Sequence, residues 1–437
     1  MTCPDAALAR LPEAVRRHVA ETILPLSGWP AEMTGEETVP DLRGRRLAFA
    51  CRSLVYSGSG RVLIEQVAAL AATGATVDLF CFEDGADPGV EDEIRRRCPT
   101  LRRIRRVSRK LRAWNSVLFD AWRGRHDLWI FTDTPDPLIF WDKARSFRFM
   151  RPPRVAAILH EAYDRYLAVL RPYASWISAL CLDYDFTEDV RAVFGPAVPV
   201  GIVAPLFPSL GHMSREKGAV RKEVGIPADA RVLGYAGRLG RNKRIERMIE
   251  LLAALLAEGR ETVWLLLAGR WEEESYRLEV EALLLQEVSL PAGRRIRLAD
   301  RVRWAGPRPA LDPVYADLDV FLLLSKAEGF YPLSVMEAQR AGVPVVCTRA
   351  GGLARVILDG VTGFCLPGES RPDGVVYGPD AAAAGADRVR RLLEDDAMRV
   401  RLGEAGRDVV LWLTAQYPFA RLFRRWVAAT LAEGERR

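Results

Sequence analysis

The sequence predicts an α/β protein built from two doubly wound domains. Residues 45–82 run as an apolar segment, a glycine-rich turn, a helical segment and a second apolar segment, a succession typical of parallel sheets. The same alternation starts again at residue 231, after a polar stretch. The 437 residues also exceed what one core organises. Ligands of such sheets lie beyond the carboxyl ends of the strands, so we expect the site in the gap between the two domains.

Short apolar runs and 3.6-residue periodicity place the individual elements. The first domain is predicted to contain a helix at 61–74 and strands at 45–51, 75–82, 127–133, 154–160, 178–184 and 198–204. The second is predicted to contain strands at 231–237, 262–269, 301–306, 319–325 and 343–348, with helices at 243–257, 272–288 and 332–341.

Five segments follow from this order. They are an N-terminal helical extension, a first Rossmann-like domain, a polar linker, a second Rossmann-like domain and a C-terminal helix, at 1–43, 44–205, 206–222, 223–413 and 414–437. The extension carries no function that the sequence reveals.

Composition excludes several classes of protein. The chain is 49% hydrophobic and 27% charged, an ordinary globular mixture, and no apolar run reaches the ~20 residues of a membrane span. The N-terminus lacks the apolar core of a secretory signal. Seven cysteines stand singly, which favours free thiols in a reducing cytosol. No metal-ligand spacing is present, and we expect neither a metal nor a cofactor.

The segment GYAGRLGRNKRIERMIE (234–250) suggests a diphosphate site. A strand ends in a glycine, and Arg238 and Lys243 flank the loop before the next helix. A helix N-terminus supplies N–H groups, and two cations neutralise phosphate charge. The alternative is that both side chains are ordinary surface residues.

The segment KAEGFYPLSVMEAQ (326–339) places two carboxylates around a helix start. Carboxylates are natural acceptors for paired hydroxyl groups, so Glu337 suits a ribose and Glu328 suits the hydroxyls of a sugar. The alternative is a helix N-terminus that its acidic residues stabilise.

The backbone of the same segment is a second candidate ligand. Gly329 allows the main chain to approach a ligand, and Pro332 suits a first helical turn. The N–H groups between them and just beyond, including those of Phe330, Tyr331 and Leu333, are therefore predicted to hold phosphate or sugar oxygens.

Together these motifs resemble the donor domain of family-4 retaining glycosyltransferases. The resemblance continues through AGVPVV (341–346) and AGGLARVILDGVTGF (350–364). In the first domain, SGSGRVLIEQVAALAATGATVDLF (57–80) and ILHEAYDRY (158–166) are similar to the family's glycine loop and histidine loop. The ordered set spans about 45–433 and is specific, although each motif alone is weak.

The resemblance implies the GT-B fold, two facing Rossmann-like domains with a cleft between them. It implies transfer of a hexosyl group from a nucleotide diphosphate sugar, with a UDP-sugar as the default, to an acceptor hydroxyl with retention. Gly58 would bring the first domain's loop to the phosphates, and the helix at 417–433 would return to the first domain. The acceptor stays open between a glycan, a lipid-linked intermediate and a small natural product.

The resemblance also implies individual roles. His160 would lie beside the reacting sugar and Glu328 would hold the sugar hydroxyls, and these two are the predicted catalytic residues. Arg238 and Lys243 would hold the diphosphate, while Glu337 would hold the ribose. The other histidines, His18, His126 and His212, are expected in core or surface positions.

Three departures from the family pattern stand out. Eight residues rather than seven separate the two glutamates, Arg355 stands where a glutamate is usual, and Arg244 stands where a glycine follows the lysine. The longer spacing and Arg355 keep open a nucleotide-sugar-binding protein without transferase activity. An epimerase on the same architecture is a separate alternative.

Residues 95–112 (RRRCPTLRRIRRVSRKLR) carry ten cations and no acid. Apolar residues at Leu101, Ile104 and Leu111 predict a basic amphipathic helix. It would contact an anionic membrane or an anionic acceptor; the alternative, a solvated basic face, is slightly favoured. Because no aromatic residues are interleaved with these cations, a nucleic-acid partner is not expected.

The predicted location is cytoplasmic, and peripheral contact with the inner face of the membrane is a further possibility. Asp133 and Asp136 could contact an acceptor or cap a turn.

Overall fold

The computed structural model describes most of the chain: residues 12–23, 39–55, 57–82, 87–107, 117, 126–132, 154–160, 164–183, 185–206, 217–291, 293–308, 310–329, 331–371, 374–376 and 381–435. These residues form two compact units. The N-terminal unit comprises the described residues of Leu24–Pro208 and Gln416–Arg437. The C-terminal unit comprises those of Met1–Ile23 and Ser209–Ala415.

The N-terminal unit is built on a parallel seven-stranded sheet. Its strands follow the order β3-β2-β1-β4-β5-β6-β7, so the chain winds outward in both directions from β1. They are β1 Arg46–Cys51, β2 Thr76–Cys81, β3 Leu101–Arg106, β4 Leu128–Thr132, β5 Val155–Leu159, β6 Ile177–Leu182 and β7 Val200–Ile202. Its helices are Gly58–Ala71, Pro88–Arg97, Asp164–Leu170, Thr187–Phe194 and Phe419–Glu435, with a 3₁₀ turn at Arg171–Trp176.

The central strands of this sheet are buried along their length, which explains why they read as continuous apolar runs rather than alternating ones. The C-terminal helix Phe419–Glu435 packs on this unit. The indole Nε1–H of Trp426 donates to the carbonyl oxygen of Leu180 over 3.2 Å. Gly201 makes room for that indole, because a Cβ there would lie 2.3 Å from Trp426 Cδ1.

The C-terminal unit contains a parallel six-stranded sheet. Its strand order is β12-β9-β8-β13-β14-β15, which puts the switch point of the winding between β8 and β13. These strands are β8 Arg231–Ala236, β9 Val263–Ala268, β12 Val302–Gly306, β13 Val320–Leu323, β14 Val345–Cys347 and β15 Gly363–Cys365. Two small hairpins add β10 Glu287–Ser289 with β11 Arg295–Arg297, and β16 Glu369–Arg371 with β17 Gly374–Val376.

The helices of the C-terminal unit surround this sheet. They are Glu13–His18, continued by a π turn at Val19–Ile23, then Ala219–Val224, Ile245–Ala257, Glu274–Leu284, Asp312–Ala316, Leu333–Arg340, Leu353–Val356, Ala381–Glu394 and Asp396–Gln416; 3₁₀ turns lie at Arg241–Lys243 and Leu298–Arg301. Helix Ala219–Val224 begins inside the stretch that the sequence predicts as a linker. The two doubly wound α/β domains expected from the sequence are confirmed.

The short helix of the N-terminal extension packs on the C-terminal unit. Val15, Val19 and Ile23 are fully buried in it. His18 Nε2 lies 2.6 Å from the carbonyl oxygen of Arg355, and burial lowers the pKa of His18 despite this bond. His18 and the glycine-rich segment that ends at Arg355 are thus in direct contact.

The predicted basic amphipathic helix at 95–112 is wrong. The helix Pro88–Arg97 ends where that segment begins, and Leu101–Arg106 forms β3, an edge strand paired with β2. The helical periodicity is misleading because contacts with a buried carboxylate of β2 stabilise the strand instead. Arg102 Nε donates to Asp78 Oδ1 over 2.8 Å, and Arg103 Nε lies 3.2 Å from Asp78 Oδ2. Most of residues 108–125 lie outside the described residues.

Candidate functional site

Three loops converge at the carboxyl ends of neighbouring strands in the C-terminal unit. They follow β8, β13 and β14, which are adjacent in the sheet. Asn242 joins the first two loops. Its Nδ2 donates to the carbonyl oxygen of Ala327 over 2.8 Å, and its Oδ1 accepts from the Ala327 N–H over 3.0 Å. Its carbonyl oxygen also accepts from the Lys326 N–H over 2.8 Å.

Asn242 brings the predicted diphosphate lysine and the predicted sugar glutamate together. Lys243 Nζ donates to Glu328 Oε1, and the two side chains are only 13% and 6% exposed. The ammonium group has three N–H donors and the carboxylate has several lone pairs. One bond between them therefore does not use all the donors of Lys243 or all the acceptor sites of Glu328. The sequence assigns these residues to different parts of a ligand, and the structure adds that they hold each other.

Arg238 occupies the loop that leaves β8. It forms an ion pair with Glu272, and its carbonyl oxygen accepts from the Tyr235 hydroxyl over 3.0 Å. Burial opposes its charge, but Glu272 outweighs that effect and raises the pKa of Arg238. The guanidinium is half exposed, so it can reach an anion as well.

The glycine-rich loop after β14 packs against the backbone of Glu328 and Gly329. The N–H of Gly352 donates to the Gly329 carbonyl oxygen over 3.1 Å. Gly351 has φ +54°, and a Cβ there would lie 1.8 Å from the Glu328 carbonyl oxygen. This close approach requires a glycine at 351 and fixes the main chain on which Glu328 is mounted.

The helix Leu333–Arg340 begins at this edge of the sheet. Pro332 stands at its N-cap position, and no side chain of the described residues caps it. Its first N–H groups, beginning with that of Leu333, therefore keep the partial positive charge of an uncapped helix start. Tyr331 is buried and its hydroxyl donates to Gln339 Oε1 over 2.6 Å. Phe330 lies outside the described residues.

Glu337 lies inside the unit rather than at its rim. Its side chain is buried, and Glu337 Oε2 accepts from the Tyr315 hydroxyl over 2.7 Å. This bond ties the helix Leu333–Arg340 to the helix Asp312–Ala316. The structure therefore shows a packing role for Glu337, while its ribose role stays a prediction.

A second group of polar side chains lies at the strand ends of the N-terminal unit. Thr132, His160 and Asp183 end or follow β4, β5 and β6, which are neighbours in the sheet. His160 Nδ1 lies 2.7 Å from Asp183 Oδ2, and His160 Nε2 lies 3.3 Å from Thr132 Oγ1. Asp133 and Asp136 lie outside the described residues.

The glycine loop after β1 leads into helix Gly58–Ala71. Gly58 is its exposed first residue, and Ser57 caps it by accepting from the Gly60 N–H over 3.0 Å. The glycine that allows a close approach is Gly60, because a Cβ there would lie 2.1 Å from the Val55 carbonyl oxygen. A phosphate role for Gly58 stays a prediction.

Sequence reasoning missed three residues of these sites, Asn242, Thr132 and Asp183. Asn242 directly precedes Lys243, but nothing in its neighbourhood announces a bond to a loop 85 positions away. Asp183 could have been found, since it follows a buried strand as His160 does. In adjacent parallel strands such residues become neighbours.

The histidines and cysteines of the described residues behave mostly as expected. His126 is buried against Asp78, and His212 lies outside the described residues. Six cysteines are free and buried. Within the described residues, no cluster of three histidine, cysteine or acidic side chains could hold a metal ion. The search of those same residues found no helix with the length and apolar character needed to span a bilayer.

The two parallel sheets match those of the GT-B fold. The structure of Anabaena HepE in complex with UDP-glucose superposes with a TM-score of 0.66 at 18% identity, covering 89% of this chain and 99% of that one. WaaG, a glycosyltransferase involved in lipopolysaccharide biosynthesis, superposes with a TM-score of 0.53 at 16% identity, covering 86% and 97%. At these identities the likeness shows the fold, and it confirms the fold predicted from the sequence.

Sequence comparison relates the C-terminal unit to a known family. Residues 216–409 match the model of the glycosyl transferases group 1 family. The D-inositol 3-phosphate glycosyltransferase of Corynebacterium efficiens is 31% identical over 224 residues, 51% of this chain and 47% of that protein. The N-acetyl-alpha-D-glucosaminyl L-malate synthase of Bacillus anthracis is 29% identical over 200 residues, 46% and 45% of the two chains. The chain thus spans about half the length of the curated relatives it matches.

Proposed function

We propose that the protein transfers a hexosyl group from a nucleotide diphosphate sugar to an acceptor hydroxyl, with retention at the anomeric carbon. One observation carries the proposal. Lys243, Arg238 and the uncapped start of helix Leu333–Arg340 lie at the carboxyl ends of β8 and β13. The winding of the sheet reverses between these two strands, where doubly wound sheets bind their ligands.

The charges of this edge fit a diphosphate leaving group. As the bond between the sugar and the diphosphate breaks, negative charge builds on the phosphate oxygens. The ammonium of Lys243, the guanidinium of Arg238 and the N–H groups of the helix start stabilise that charge. They are in place before the reaction because Glu328, Glu272 and the loop contacts hold them.

Glu328 supports the sugar part of the same ligand. Its carboxylate stands beside the lysine and on a main chain fixed by Gly351. Its remaining lone pairs are acceptors for sugar hydroxyls. Glu337 is assigned to the ribose because of its position in the sequence. This role requires one oxygen of its buried carboxylate to accept a hydrogen bond from the nucleotide instead of from the protein.

A UDP-sugar is the proposed donor, and no metal takes part. Related folds support this choice, because HepE has been crystallised with UDP-glucose. The names of two relatives contain D-inositol 3-phosphate and L-malate, which are small hydroxylated molecules. An acceptor of that kind joins the glycan and the lipid-linked intermediate as candidates here.

Incubation with UDP-glucose and GDP-mannose, followed by separation of the nucleotides, tests the proposal. Slow release of free UDP or GDP without added acceptor supports transfer. Conversion of one UDP-sugar into another indicates an epimerase instead. Binding detected by calorimetry without any turnover indicates a nucleotide-sugar-binding protein, and absence of both overturns the proposal.

An anionic membrane is the second partner proposed, through the described part of 95–112 and in a cytoplasmic setting. The positive charge of this segment is partly neutralised, because Arg97, Arg102 and Arg106 form ion pairs with carboxylates of their own unit. Arg96 is exposed on the same segment. Co-sedimentation with phosphatidylserine vesicles that Arg96→Glu weakens supports this contact, and co-sedimentation that the change leaves intact removes it.

A further inference from the structure

The strand ends of the N-terminal unit hold a histidine and a carboxylate in fixed register. β5 and β6 pair with Leu159 opposite Leu182, and the ladder continues one step further, because the Asp183 N–H donates to the Leu159 carbonyl oxygen over 3.3 Å. His160 and Asp183 are the next residues of the two strands. The backbone thus places them side by side, and the 2.7 Å contact between Nδ1 and Oδ2 follows from it.

We propose that Asp183 is a positioning residue that holds His160 in the Nδ1–H tautomer and presents Nε2 as the acceptor for a substrate hydroxyl. The inference rests on the proposed function and on the place beside the reacting sugar that the sequence resemblance predicts for His160. A carboxylate only accepts hydrogen bonds, so the Nδ1 facing it must carry a proton. In the neutral ring, Nε2 then carries the lone pair.

The third strand end is compatible with this assignment. Thr132 Oγ1 lies 3.3 Å from His160 Nε2, and in the proposed tautomer the threonine hydroxyl donates to the ring lone pair over this long contact. A hydroxyl is therefore the kind of group that this nitrogen already accepts from. A substrate hydroxyl that approaches more closely takes the same place.

A second histidine–carboxylate pair in the same unit shows what a purely structural pair looks like. His126 Nε2 also lies 2.7 Å from a carboxylate, that of Asp78, but these side chains are 0% and 2% exposed. Those of His160 and Asp183 are 19% and 15% exposed. The pair at the strand ends is therefore anchored yet open to a ligand, and the pair in the sheet is sealed.

Among the described residues, Asp183 is the acid in contact with His160. Cys181, two residues earlier, is buried, and burial, with a smaller contribution from Asp183, raises the pKa of its thiol. The thiol stays neutral and carries no competing charge. Asp185 is engaged elsewhere, since its Oδ1 accepts from the Thr187 N–H over 3.1 Å at the start of a helix.

Nitrogen NMR of the full-length protein reads the tautomer directly. The chain has four histidines, so the signals of His160 are assigned by their loss in His160→Gln. The wild type is expected to show the neutral Nδ1–H tautomer at neutral pH. A ring that carries a proton on Nε2, whether neutral or doubly protonated, overturns the proposal without any variant being made.

Kinetics supply the second readout. Asp183→Asn is expected to lower kcat for UDP release from UDP-glucose by about 10–100-fold, as loss of a residue that orients a functional histidine typically does. The affinity for UDP should stay unchanged, and Asp183→Glu should recover part of the rate. Asp185→Asn, which removes the same charge two residues away, should behave as the wild type.

The two ideas fail separately. If the wild type releases nucleotide and Asp183→Asn keeps its kcat, the positioning role is overturned while the transferase stands. If the wild type neither binds nor releases nucleotide, the proposed function falls, and the NMR experiment still shows whether Asp183 sets the tautomer.

Discussion

Two buried carboxylates, one in each unit, meet cations in different ways. Asp78 lies in the middle of β2, 2% exposed, and contacts Arg102, Arg103 and His126. Glu328 lies beyond the end of β13, 6% exposed, and contacts Lys243. Both carboxylates are buried charges, and burying a charge is strongly unfavourable unless an oppositely charged partner lies beside it.

Position along the strand separates their roles. The partners of Asp78 come from β3 and from the turn just before β4, and they contact it within the sheet. Glu328 and Lys243 stand on loops at the edge where doubly wound sheets bind ligands. The cluster inside the sheet stabilises the fold, whereas the pair beyond the strand end lies where such sheets bind their ligands.

Asp78→Ala is expected to produce the largest effect on stability. Removing one member of a buried charge cluster takes that partner away from the others and typically costs about 3–5 kcal/mol. Hydrogen exchange of the amides in β1 to β4 measures it within the N-terminal unit. Asp92→Ala, a change at an exposed position of the same unit, should leave that exchange unchanged. Equal exchange in both variants would break the comparison.

The same carboxylate gives a pH dependence. Burial works against the charge of Asp78, but hydrogen bonds from Arg102 and His126 outweigh it and lower the pKa of Asp78. A carboxylate with a lowered pKa in the folded state stabilises the fold above its unfolded value of about 3.9. That contribution is lost as the pH falls through the lower folded value. The stability difference between wild type and Asp78→Ala should be constant above pH ~5 and shrink in stronger acid.

Lys243→Ala is expected to weaken UDP binding more than any change at the sheet centre. It removes a charge-assisted hydrogen bond, worth about 1–3 kcal/mol. Calorimetry with UDP measures the loss, and Lys222→Ala, at an exposed position of the same unit, is the matched control. Unchanged affinity would place the diphosphate elsewhere.

The double variant Lys243→Met with Glu328→Gln sharpens this result. It removes both buried charges, so the stability lost in Lys243→Ala should largely return. UDP affinity should not return, because the cation is still missing. Recovery of both would mean that the pair serves only the fold.

Asn242→Ala comes next in size. It deletes two hydrogen bonds between the loops after β8 and β13, each worth about 1 kcal/mol. Because these bonds set Lys243 beside Glu328, we expect both weaker UDP binding and a lower rate of UDP release. Arg241→Ala changes the preceding residue, which pairs with Glu273 and Glu279 instead, and should affect neither.

Arg244→Gly is expected to have the smallest effect, in the stabilising direction. Arg244 is the one non-glycine residue of the described chain with a positive φ, +50°. A left-handed conformation costs such a residue about 1–2 kcal/mol. Substitution by glycine removes this cost, but the gain in stability is smaller because glycine has more conformational freedom in the unfolded chain. A net gain of up to about 1 kcal/mol in chemical denaturation is expected. Arg247→Gly, inside a helix, should destabilise instead.

The sequence predicted the fold well because both sheets are buried on two faces. Strands such as Leu128–Thr132 and Val263–Ala268 are wholly buried and stand out as apolar runs between helices and turns. The strand Leu101–Arg106 was not predicted because it is a basic edge strand without an apolar run. Its partner Asp78 can be recognised only from the pairing of β2 with β3.

The candidate site was predicted in part. Lys243 and Glu328 were singled out by residue type and place after a strand, and the structure brings them together. The contacts of Asn242 and Asp183 depend on loops and strand register that are distant in sequence. Glu337 shows the limit in the other direction, because a helical position near the site does not reveal that Tyr315 covers it.

A crystal structure with UDP soaked into the protein tests the central claim most directly. The account predicts density for the diphosphate within hydrogen-bonding distance of Lys243 Nζ and of the first N–H groups of helix Leu333–Arg340. Diphosphate density at any other part of the C-terminal unit, or on the N-terminal unit alone, would contradict it.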